Sequence, residues 1–471
     1  MANYFDKVLT LGGGINTGAP PLHIKNEEAV YLRNMDSWKY PSAAVRPGRT
    51  TYPTILSTNA HTIGQRDNCY VHAVEGNTWK YWDAANWVNV TTALTSTEGE
   101  FGEFGEFATG TAKYTLYMNS TNLIQVWDGT TTVPATVSDT NAPKTRKFTV
   151  NKGRIYALTD RHVKYCALNK TTDWTTANDA GSITVTKAKG PLNAVAEYND
   201  RIIIFTECSM HELYGTGPAY YELIDIEGDV GCVSQRSLVK VERMLYWLWY
   251  DGIYEYSGGS PRKISDPVDH YIRNLNWSYR DKVAGGAIDH YLYMAIPYGA
   301  SATANNLILK FDTHKRIWFV ETGEFKDFMT IYCSCLKQNV LYGLDSTGQI
   351  WHMRDLTGTA DSATPIAWEF ITKPFMHGNP SEPNTLNELW LVADISIGST
   401  AFTVSYSTKI KNNDSTTFTT VKTLSGSSET QNQRVILKPA GVQKQDWYRL
   451  RFAGTGQAEI HYLEQKGGIT K

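Results

Sequence analysis

The sequence predicts an all-β protein: a β-propeller of about seven blades (six to eight), with an extended N-terminal arm and a C-terminal β-sandwich-like domain. Three observations lead to this fold class. Aromatic residues make up 12% of the chain, with 28 Tyr and 14 Trp, and such side chains favour strands. A strand–turn–strand unit recurs along most of the chain. Helical patterns are sparse.

The repeated unit consists of two alternating apolar segments separated by a turn. Turns such as Glu75-Gly-Asn77 and Asp345-Ser-Thr-Gly348 contain residues that tolerate the positive φ of tight hairpins. Sheets repeated every ~40–50 residues are typical of propellers, in which each blade buries its faces against its neighbours. The narrow range of spacings disfavours irregularly placed hairpins. The units begin 41 to 49 residues apart, at Tyr70, Tyr114, Ile155, Ile202, Leu245, Tyr291 and Val340.

The chain ends differ from the repeats. Residues 1–50 contain Gly- and Pro-rich stretches that cannot form long regular elements, and they predict an arm that reaches a neighbouring subunit or packs across its own propeller. Residues 51–367 are assigned to the propeller. Residues 368–385 include three prolines and predict a linker. Residues 386–471 contain six short alternating strands, which favour a sandwich-like domain.

One short helix is predicted between blades, from Asp266 to Leu275. Asp266 can cap its start, and Pro267 suits the first helical position. Val268, Ile272 and Leu275 would then form its apolar stripe.

Composition limits the classes of function. The chain of 471 residues has 45 Lys+Arg and 47 Asp+Glu, so it has no overall basic field with which to neutralise nucleic-acid phosphates. Its longest apolar runs have strand length, and the start lacks the features of a secretory signal, so we expect no membrane span and synthesis in a reducing cytoplasm. Six dispersed cysteines without a CxxC pair predict free thiols.

No common catalytic or phosphate-binding motif is present. HExxH, GxSxG, GxGxxG and P-loop patterns are absent, and the 11 histidines form no His-x-His or His-x₃-His pair. We therefore expect no catalytic residue, no cofactor and no metal ligand. A polysaccharide hydrolase would need carboxylates converging on the propeller axis from separate blades, and that interpretation stays open as the least favoured.

One acidic segment is unusual. Residues 98–107 place Phe at 101, 104 and 107, a three-residue period that fits neither a helix face nor a strand face. The segment is either an exposed Gly-rich connector between the first two blades or an acidic loop that faces a channel or a subunit. Carboxylates in a channel would repel DNA phosphates. The candidate contact residues are Glu98, Glu100, Glu103 and Glu106.

Several motifs resemble the β-propeller tail proteins of tailed bacteriophages, the group that includes tail nozzle, head-to-tail connector and packaged-DNA stabilisation proteins. The resemblance covers roughly residues 10–365. At the N-terminus it rests on three short segments, Gly13-Gly-Ile-Asn16, Asn34-Met-Asp36 and Arg46-Pro-Gly48. Within the repeats it rests on Ile202-Ile-Ile-Phe205 followed by Glu212-Leu-Tyr-Gly215, on Gly228–Leu238, and on Tyr250–Gly259 leading to Lys263-Ile-Ser265.

The resemblance implies a structural virion protein of the tail, made in the bacterial host cytoplasm. It implies a homo-oligomeric ring, of six copies by analogy with the family, that contacts portal, adaptor or other tail proteins and surrounds DNA during ejection without sequence-specific binding. It implies no catalysis. The alternative function is a receptor- or carbohydrate-binding tail propeller, in which exposed aromatics such as Trp82, Trp87 and Trp174 stack on sugars, although most are expected to pack between blades.

Overall fold

The computed structural model describes residues 3–66, 70–97, 101–131, 133–215, 217–333, 338–379, 382–395, 401–408, 418–424, 430–437 and 442–469. Antiparallel sheets dominate these residues, so the all-β prediction is confirmed. Among them, no helix has the length and apolar character needed to span a membrane.

Five short strands precede the first repeat. They do not form a sheet of their own, because each of them joins a sheet made by residues much later in the chain. They are β1 (Asn3–Leu9), β2 (Ala29–Arg33), β3 (Met35–Asp36), β4 (Ala43–Val45) and β5 (Gly48–Thr51).

Seven antiparallel blades follow in the described residues, so the propeller is confirmed with seven blades. Blades 1 to 3 are β6 (Ala60–Arg66), β7 (Tyr70–Glu75), β8 (Thr78–Trp82), β9 (Trp87–Thr91); β10 (Glu103–Thr109), β11 (Ala112–Met118), β12 (Gln125–Trp127), β13 (Ala135–Thr136); and β14 (Phe148–Asn151), β15 (Arg154–Leu158), β16 (His162–Tyr165), β17 (Gly181–Thr184). Blades 4 and 5 are β18 (Leu192–Tyr198), β19 (Arg201–Thr206), β20 (Met210–Tyr214), β21 (Glu222–Ile226); and β22 (Val239–Val241), β23 (Met244–Trp249), β24 (Gly252–Tyr256), β25 (Arg262–Lys263). Blades 6 and 7 are β26 (Ala284–Ile288), β27 (Tyr291–Ile296), β28 (Leu307–Asp312), β29 (Ile317–Thr322); and β30 (Phe325–Cys333), β31 (Gln338–Asp345), β32 (Ile350–Asp355), with β33 (Ala360–Asp361) and β34 (Thr364–Pro365) at its edge.

The N-terminal segment closes the ring of blades. Strand β5 supplies the fourth strand of blade 7, where Thr51 lies opposite Trp351 and Thr50 opposite His352. Blade 7 also shares a hydrophobic cluster with blade 1, which includes Ile63 and Ile331. Residues 48–51 therefore belong to the last blade, although they precede the first blade in the sequence.

Each blade buries both of its faces against neighbouring blades. In β19, Ile202 and Ile204 belong to a cluster shared with blade 3, whereas Ile203 and Phe205 belong to a cluster shared with blade 5. This packing explains why the segment reads as a continuous apolar run, since a strand that is buried on both faces has no polar side. Two turn glycines that the sequence singled out, Gly76 and Gly348, adopt positive φ.

Helical structure is confined to short segments in the described chain. Helix α1 (Asp269–Arg273) follows a 3₁₀ turn at Asp266–Val268, between blades 5 and 6, where the sequence predicted a helix. Its predicted stripe of Val268, Ile272 and Leu275 is buried in a hydrophobic core. The other 3₁₀ turns are Thr176–Asn178, Pro218–Tyr220, Gln235–Ser237 and Trp277–Lys282.

The C-terminal domain contains two sheets around one core. Strands β36, β39 and β41 form one sheet with β1, β3 and β4, and strands β35, β37, β38 and β40 form the other with β2. Their core continues into the core of blades 5 and 6. All six predicted strands are present, together with an additional first strand: β35 (Ala367–Thr372), β36 (Asn384–Ile395), β37 (Ala401–Ser407), β38 (Thr419–Leu424), β39 (Thr430–Leu437), β40 (Arg449–Thr455) and β41 (Ala458–Ile469).

Two predicted boundaries need correction. The linker prediction for 368–385 is wrong at both ends, because Ala367–Thr372 is a strand that pairs with both β2 and β40, and β36 begins at Asn384. The N-terminal 50 residues are not a separate arm, because β1 pairs with β41 over its whole length and β2 pairs with β35. The short N-terminal strands β1 and β2 are separated by a glycine- and proline-rich stretch, so the strand pattern could not be recognised in the sequence.

Candidate functional site at the propeller hub and the domain junction

The acidic segment begins the innermost strand of blade 2. Glu98 and Glu100 lie outside the described residues, and Glu103 and Glu106 lie in β10. Glu103 bonds to Arg236 within its own chain, and Glu106 is exposed. The connector and loop interpretations are therefore wrong for residues 103–107, which are strand. A contact of Glu106 with a channel or another subunit stays a prediction.

The three-residue period of phenylalanines follows from burial on both faces of β10. Residues three apart in a strand point to opposite faces. Phe104 packs against Trp79 of blade 1, with ring centroids 5.5 Å apart. Phe107 belongs to the cluster shared with blade 3. The three-residue spacing therefore places Phe104 at the interface with blade 1 and Phe107 at the interface with blade 3.

Arg236 occupies the hub, which we define as the region enclosed by the first strands of the blades. It lies in the 3₁₀ turn Gln235–Ser237 and is buried. Its Nε donates to Glu103 Oε1 at 2.7 Å, and an NH2 group donates to Thr62 Oγ1 at 2.9 Å. The Asp327 carboxylate lies 3.6 Å from the same guanidinium. One side chain thus joins blades 1, 2 and 7 from the segment between blades 4 and 5.

Asp327 is the hub acid whose pKa is shifted from its ordinary value. Its Oδ2 accepts from the backbone N–H of Ile63 and its Oδ1 from that of Phe328, each at 2.9 Å. Burial raises the pKa of Asp327 to about 7, although Arg236 opposes this increase. The hub therefore holds a carboxyl group that titrates near neutral pH.

Gln235 binds the backbone of Val195 in β18, the inner strand of blade 4. Its side-chain oxygen accepts from Val195 N at 2.9 Å, and its amide donates to Val195 O at 3.0 Å. Next to it, Arg236 and Arg146 both stack on Phe101, at 3.6 and 3.9 Å from the ring centroid. Sequence reasoning singled out Phe101 but missed Gln235, Arg236 and Arg146, although Gln235 and Arg236 lie within a motif that carried the resemblance.

Hub glycines allow the blades to approach one another. A Cβ at Gly64 would lie 2.4 Å from Phe104, and one at Gly105 would lie 2.6 Å from Phe148. A Cβ at Gly286 would lie 2.6 Å from the Cβ of Phe328. At three blade interfaces, an inner-strand glycine therefore leaves the space in which a phenylalanine of the following blade packs. A cavity of about 200 Å³ remains beside these residues.

A second buried polar cluster joins the N-terminal segment to blades 6 and 7. Arg46 makes a bidentate contact with Asp361, at 2.8 and 2.5 Å, and Arg49 donates to Glu321 at 2.7 Å. Lys310 pairs with Asp36, and its Nζ lies 3.6 Å from Glu321. We call these six residues the junction cluster.

The junction cluster is electrostatically self-compensating. Burial lowers the pKa of Lys310, but Asp36, Tyr293 and Glu321 outweigh this effect and hold it above its ordinary value. Burial likewise favours protonation of Glu321, but Lys310, Arg49 and Arg46 hold its pKa below the ordinary value. The charges of Lys310 and Glu321 are therefore maintained by their oppositely charged neighbours.

The Gly13–Asn16 motif lies against blade 6. Ile15 N donates to Trp318 O at 2.9 Å, and Ile15 is buried in the shared core. Gly14 has a φ of +74°, and a Cβ there would lie 2.2 Å from Ile317 Cγ2. Only glycine suits both the conformation and the close approach at this position.

One group of potential metal ligands comes together in the C-terminal domain. Asp394 Oδ2 lies 3.1 Å from His461 Nε2, and Glu459 Oε1 lies 3.4 Å from His461 Nδ1. Glu459 also bonds to Lys39 at 2.7 Å. A Glu-x-His pattern on one strand face is the signal that could have found it. These contacts describe a polar network around the Lys39–Glu459 ion pair, and the cluster carries no assignment.

The tryptophans named for sugar stacking are mostly buried. Trp82 packs in the cluster between blades 7 and 1, and Trp174 packs in the cluster between blades 2 and 3. Trp87 is half-buried. The expectation that most of them pack between blades is confirmed, which removes their support for a carbohydrate-binding surface.

Comparison with known proteins gives distant structural likeness. No family model and no curated protein matches the sequence. The chain is similar to the computationally designed Ika8 protein, with 11% identity and a TM-score of 0.40 over 65% of this chain and 100% of that chain. It is also similar to PorZ of the Porphyromonas gingivalis type-IX secretion system, with 12% identity and a TM-score of 0.43 over 79% and 46% of the two chains. For Raptor of Chaetomium thermophilum, the values are 10% identity and a TM-score of 0.43 over 66% and 29%. These likenesses carry no functional argument.

Proposed function

We propose that the protein is a structural component of a tailed-phage virion, in which copies form a ring in the tail around the DNA exit path. The ring would hold six copies by analogy with the family that the motifs resemble, and would contact portal, adaptor or other tail proteins. Its role is mechanical, as a tail nozzle or head-to-tail connector, and involves no reaction.

The observation that carries this proposal is the place of the resemblance motifs in the fold. Asn34–Asp36 and Arg46–Gly48 supply residues of the junction cluster, and Gly13–Asn16 packs on blade 6. Residues 228–238 deliver Arg236 to the hub. These segments hold blades and domains together, as the proposed mechanical role requires.

Charge supports the same role. The formal net charge is -2, so the chain as a whole carries no positive field that would retain duplex DNA through phosphate neutralisation. A channel component must let DNA pass, so weak attraction to phosphates is favourable. In the hub, the described carboxylates Glu103 and Asp327 are engaged by Arg236, which disfavours the hydrolase interpretation.

The test is to look for the protein in virus particles. Particles made from the genome that encodes this chain would be analysed by mass spectrometry and electron cryomicroscopy. We expect several copies per particle and a ring of seven-bladed propellers in the tail. Absence of the chain from purified particles, or its presence outside the tail, would overturn the proposal.

A further inference from the structure

We propose that the cleft between the C-terminal domain and blade 6 binds a short acidic saccharide. The cleft has a volume of about 760 Å³, which lies in the range of small-molecule binding sites. One wall is a face of the sheet that contains β2, β35 and β40, and the other includes α1 and residues of blade 6. This inference goes beyond the structural role proposed above.

Strand alternation creates the polar wall. In β40, Leu450 and Phe452 point into the hydrophobic core, whereas Arg449 and Arg451 line the cleft. In the neighbouring β35, Phe370 is likewise in the core and Glu369 lines the cleft.

The lining residues of the cleft are more basic than the chain as a whole. They include three arginines, Arg33, Arg449 and Arg451, and one carboxylate, Glu369. Arg451 Nε donates to Glu369 at 2.5 Å, and Arg33 lies 3.6 Å from the same carboxylate. Because each guanidinium carries five N–H donors, one shared carboxylate uses only a part of their capacity. The Nε of Arg33 is buried without a hydrogen-bond partner among the described residues.

Arg449 is the most deeply placed of the three arginines. It is 6% exposed, and its guanidinium lies 5.1 Å from the centre of the Phe418 ring. Burial lowers the pKa of Arg449, because the low-dielectric surroundings disfavour the charged form. An anion bound in the cleft would add to the stabilisation of that charge and supply a planar group suited to bidentate hydrogen bonds with a guanidinium. A carboxylate has this geometry.

The opposite wall suits the rest of a sugar. Tyr271 and Tyr298 line it, with ring centroids 5.2 Å apart, and His270 Nε2 lies 3.1 Å from Tyr298 Oη. Asn16 and Thr17 also line the cleft, with the Asn16 amide donating to Glu28 and the Thr17 hydroxyl donating to Pro267 O, each at 3.0 Å. Aromatic rings offer an apolar surface with a polar edge, which matches a sugar ring and its hydroxyls. A nucleic-acid backbone is disfavoured, because retaining it requires many phosphate contacts on an open basic surface.

The test is isothermal titration calorimetry of the full chain with trigalacturonic acid, using maltotriose as the uncharged probe. Arg33→Gln and Arg451→Gln each remove one cleft charge and leave Glu369 paired with the other arginine. Arg262→Gln is the matched control, because it removes one arginine charge from an exposed position on blade 5. Thermal unfolding of each variant reports whether it is folded.

We expect trigalacturonic acid to bind and maltotriose to bind at least about tenfold more weakly, since a hydrogen bond to a charged group contributes this much. Either cleft variant should weaken binding about tenfold or more with an unchanged unfolding temperature, and the control should bind like the native chain. No binding of the acidic probe, equal binding of the neutral probe, or equal binding by folded cleft variants would overturn the proposal. Tighter, cleft-dependent binding of a single-stranded DNA oligonucleotide would also overturn it. None of these results bears on whether the chain is found in virus particles.

Discussion

The substitution Lys310→Met tests the junction cluster directly. Lys310 and Asp36 form an ion pair in which both side chains are 0% exposed. The methionine keeps much of the length and removes the charge, so Asp36 is left as a buried carboxylate without its cation. Lys310 also lies 4.5 Å from the centre of the Tyr291 ring, a contact that loses its electrostatic part.

The magnitude follows from the burial of the pair. Removing one partner of a buried ion pair costs about 3–5 kcal/mol, because the remaining charge is neither solvated nor paired. Glu321 retains Arg49 at 2.7 Å, so the cost falls mainly on Asp36. Adding Asp36→Asn to Lys310→Met removes that unpaired charge, and we expect the double variant to recover at least half of the lost free energy of unfolding.

The assay is equilibrium denaturation followed by tryptophan fluorescence. Lys189→Met is the control, because its pair with Asp229 has side-chain exposures of 59% and 80%, and we expect no measurable change in its denaturation midpoint. A loss of less than about 1 kcal/mol for Lys310→Met would refute the reasoning. So would a double variant no more stable than the single one.

Three further predictions concern the hub and the N-terminus. Gly286→Ala should reduce the free energy of unfolding by about 1–3 kcal/mol through overpacking against Phe328, whereas Gly217→Ala, which meets nothing within 4 Å, should leave the denaturation midpoint unchanged. Because the pKa of Asp327 is raised from 3.8 to about 7, the folded state retains a proton that the unfolded state releases, so its contribution to stability is lost as pH rises through that window. Asp327→Asn should therefore flatten the decline of stability between these pH values, and an unchanged profile would contradict the assignment. Deleting residues 1–9 removes β1 from the edge of β41, and we expect faster amide hydrogen exchange in β41 with little change in blades 2 to 4.

The sequence was sufficient to predict the blades because their hairpins are local, although blade 7 takes its fourth strand, β5, from residues 48–51. Hairpin strands follow one another, and the turn residues and apolar alternation that define them lie within a few tens of residues. The segment Ile202–Phe205 could be recognised as a strand, and its apolar run also reflected burial on two faces. Phe107 shows the limit of this reasoning. The three-residue spacing of phenylalanines can be interpreted only when both faces of the strand are known to be covered.

Non-local pairing could not be predicted. Strand β1 pairs with residues of β41 that are more than 450 positions away, and no local pattern indicates such a partner. The same is true of Arg236, which meets Glu103 and Asp327 from other blades. Single charged residues in a sequence are usually exposed, so a buried arginine cannot be distinguished until the ring of blades brings its partners together.

The junction cluster lies where the chain passes from one domain to the other. Strand β4 ends at Val45 in the sheet of the C-terminal domain, and β5 begins at Gly48 in blade 7. Only Arg46 and Pro47 separate them, and Arg46 bonds to Asp361 beside that blade. Displacing the C-terminal domain would therefore pull on the strand that closes the propeller. Because this connection is short, buried and paired in charge, we infer that the two domains move as one body.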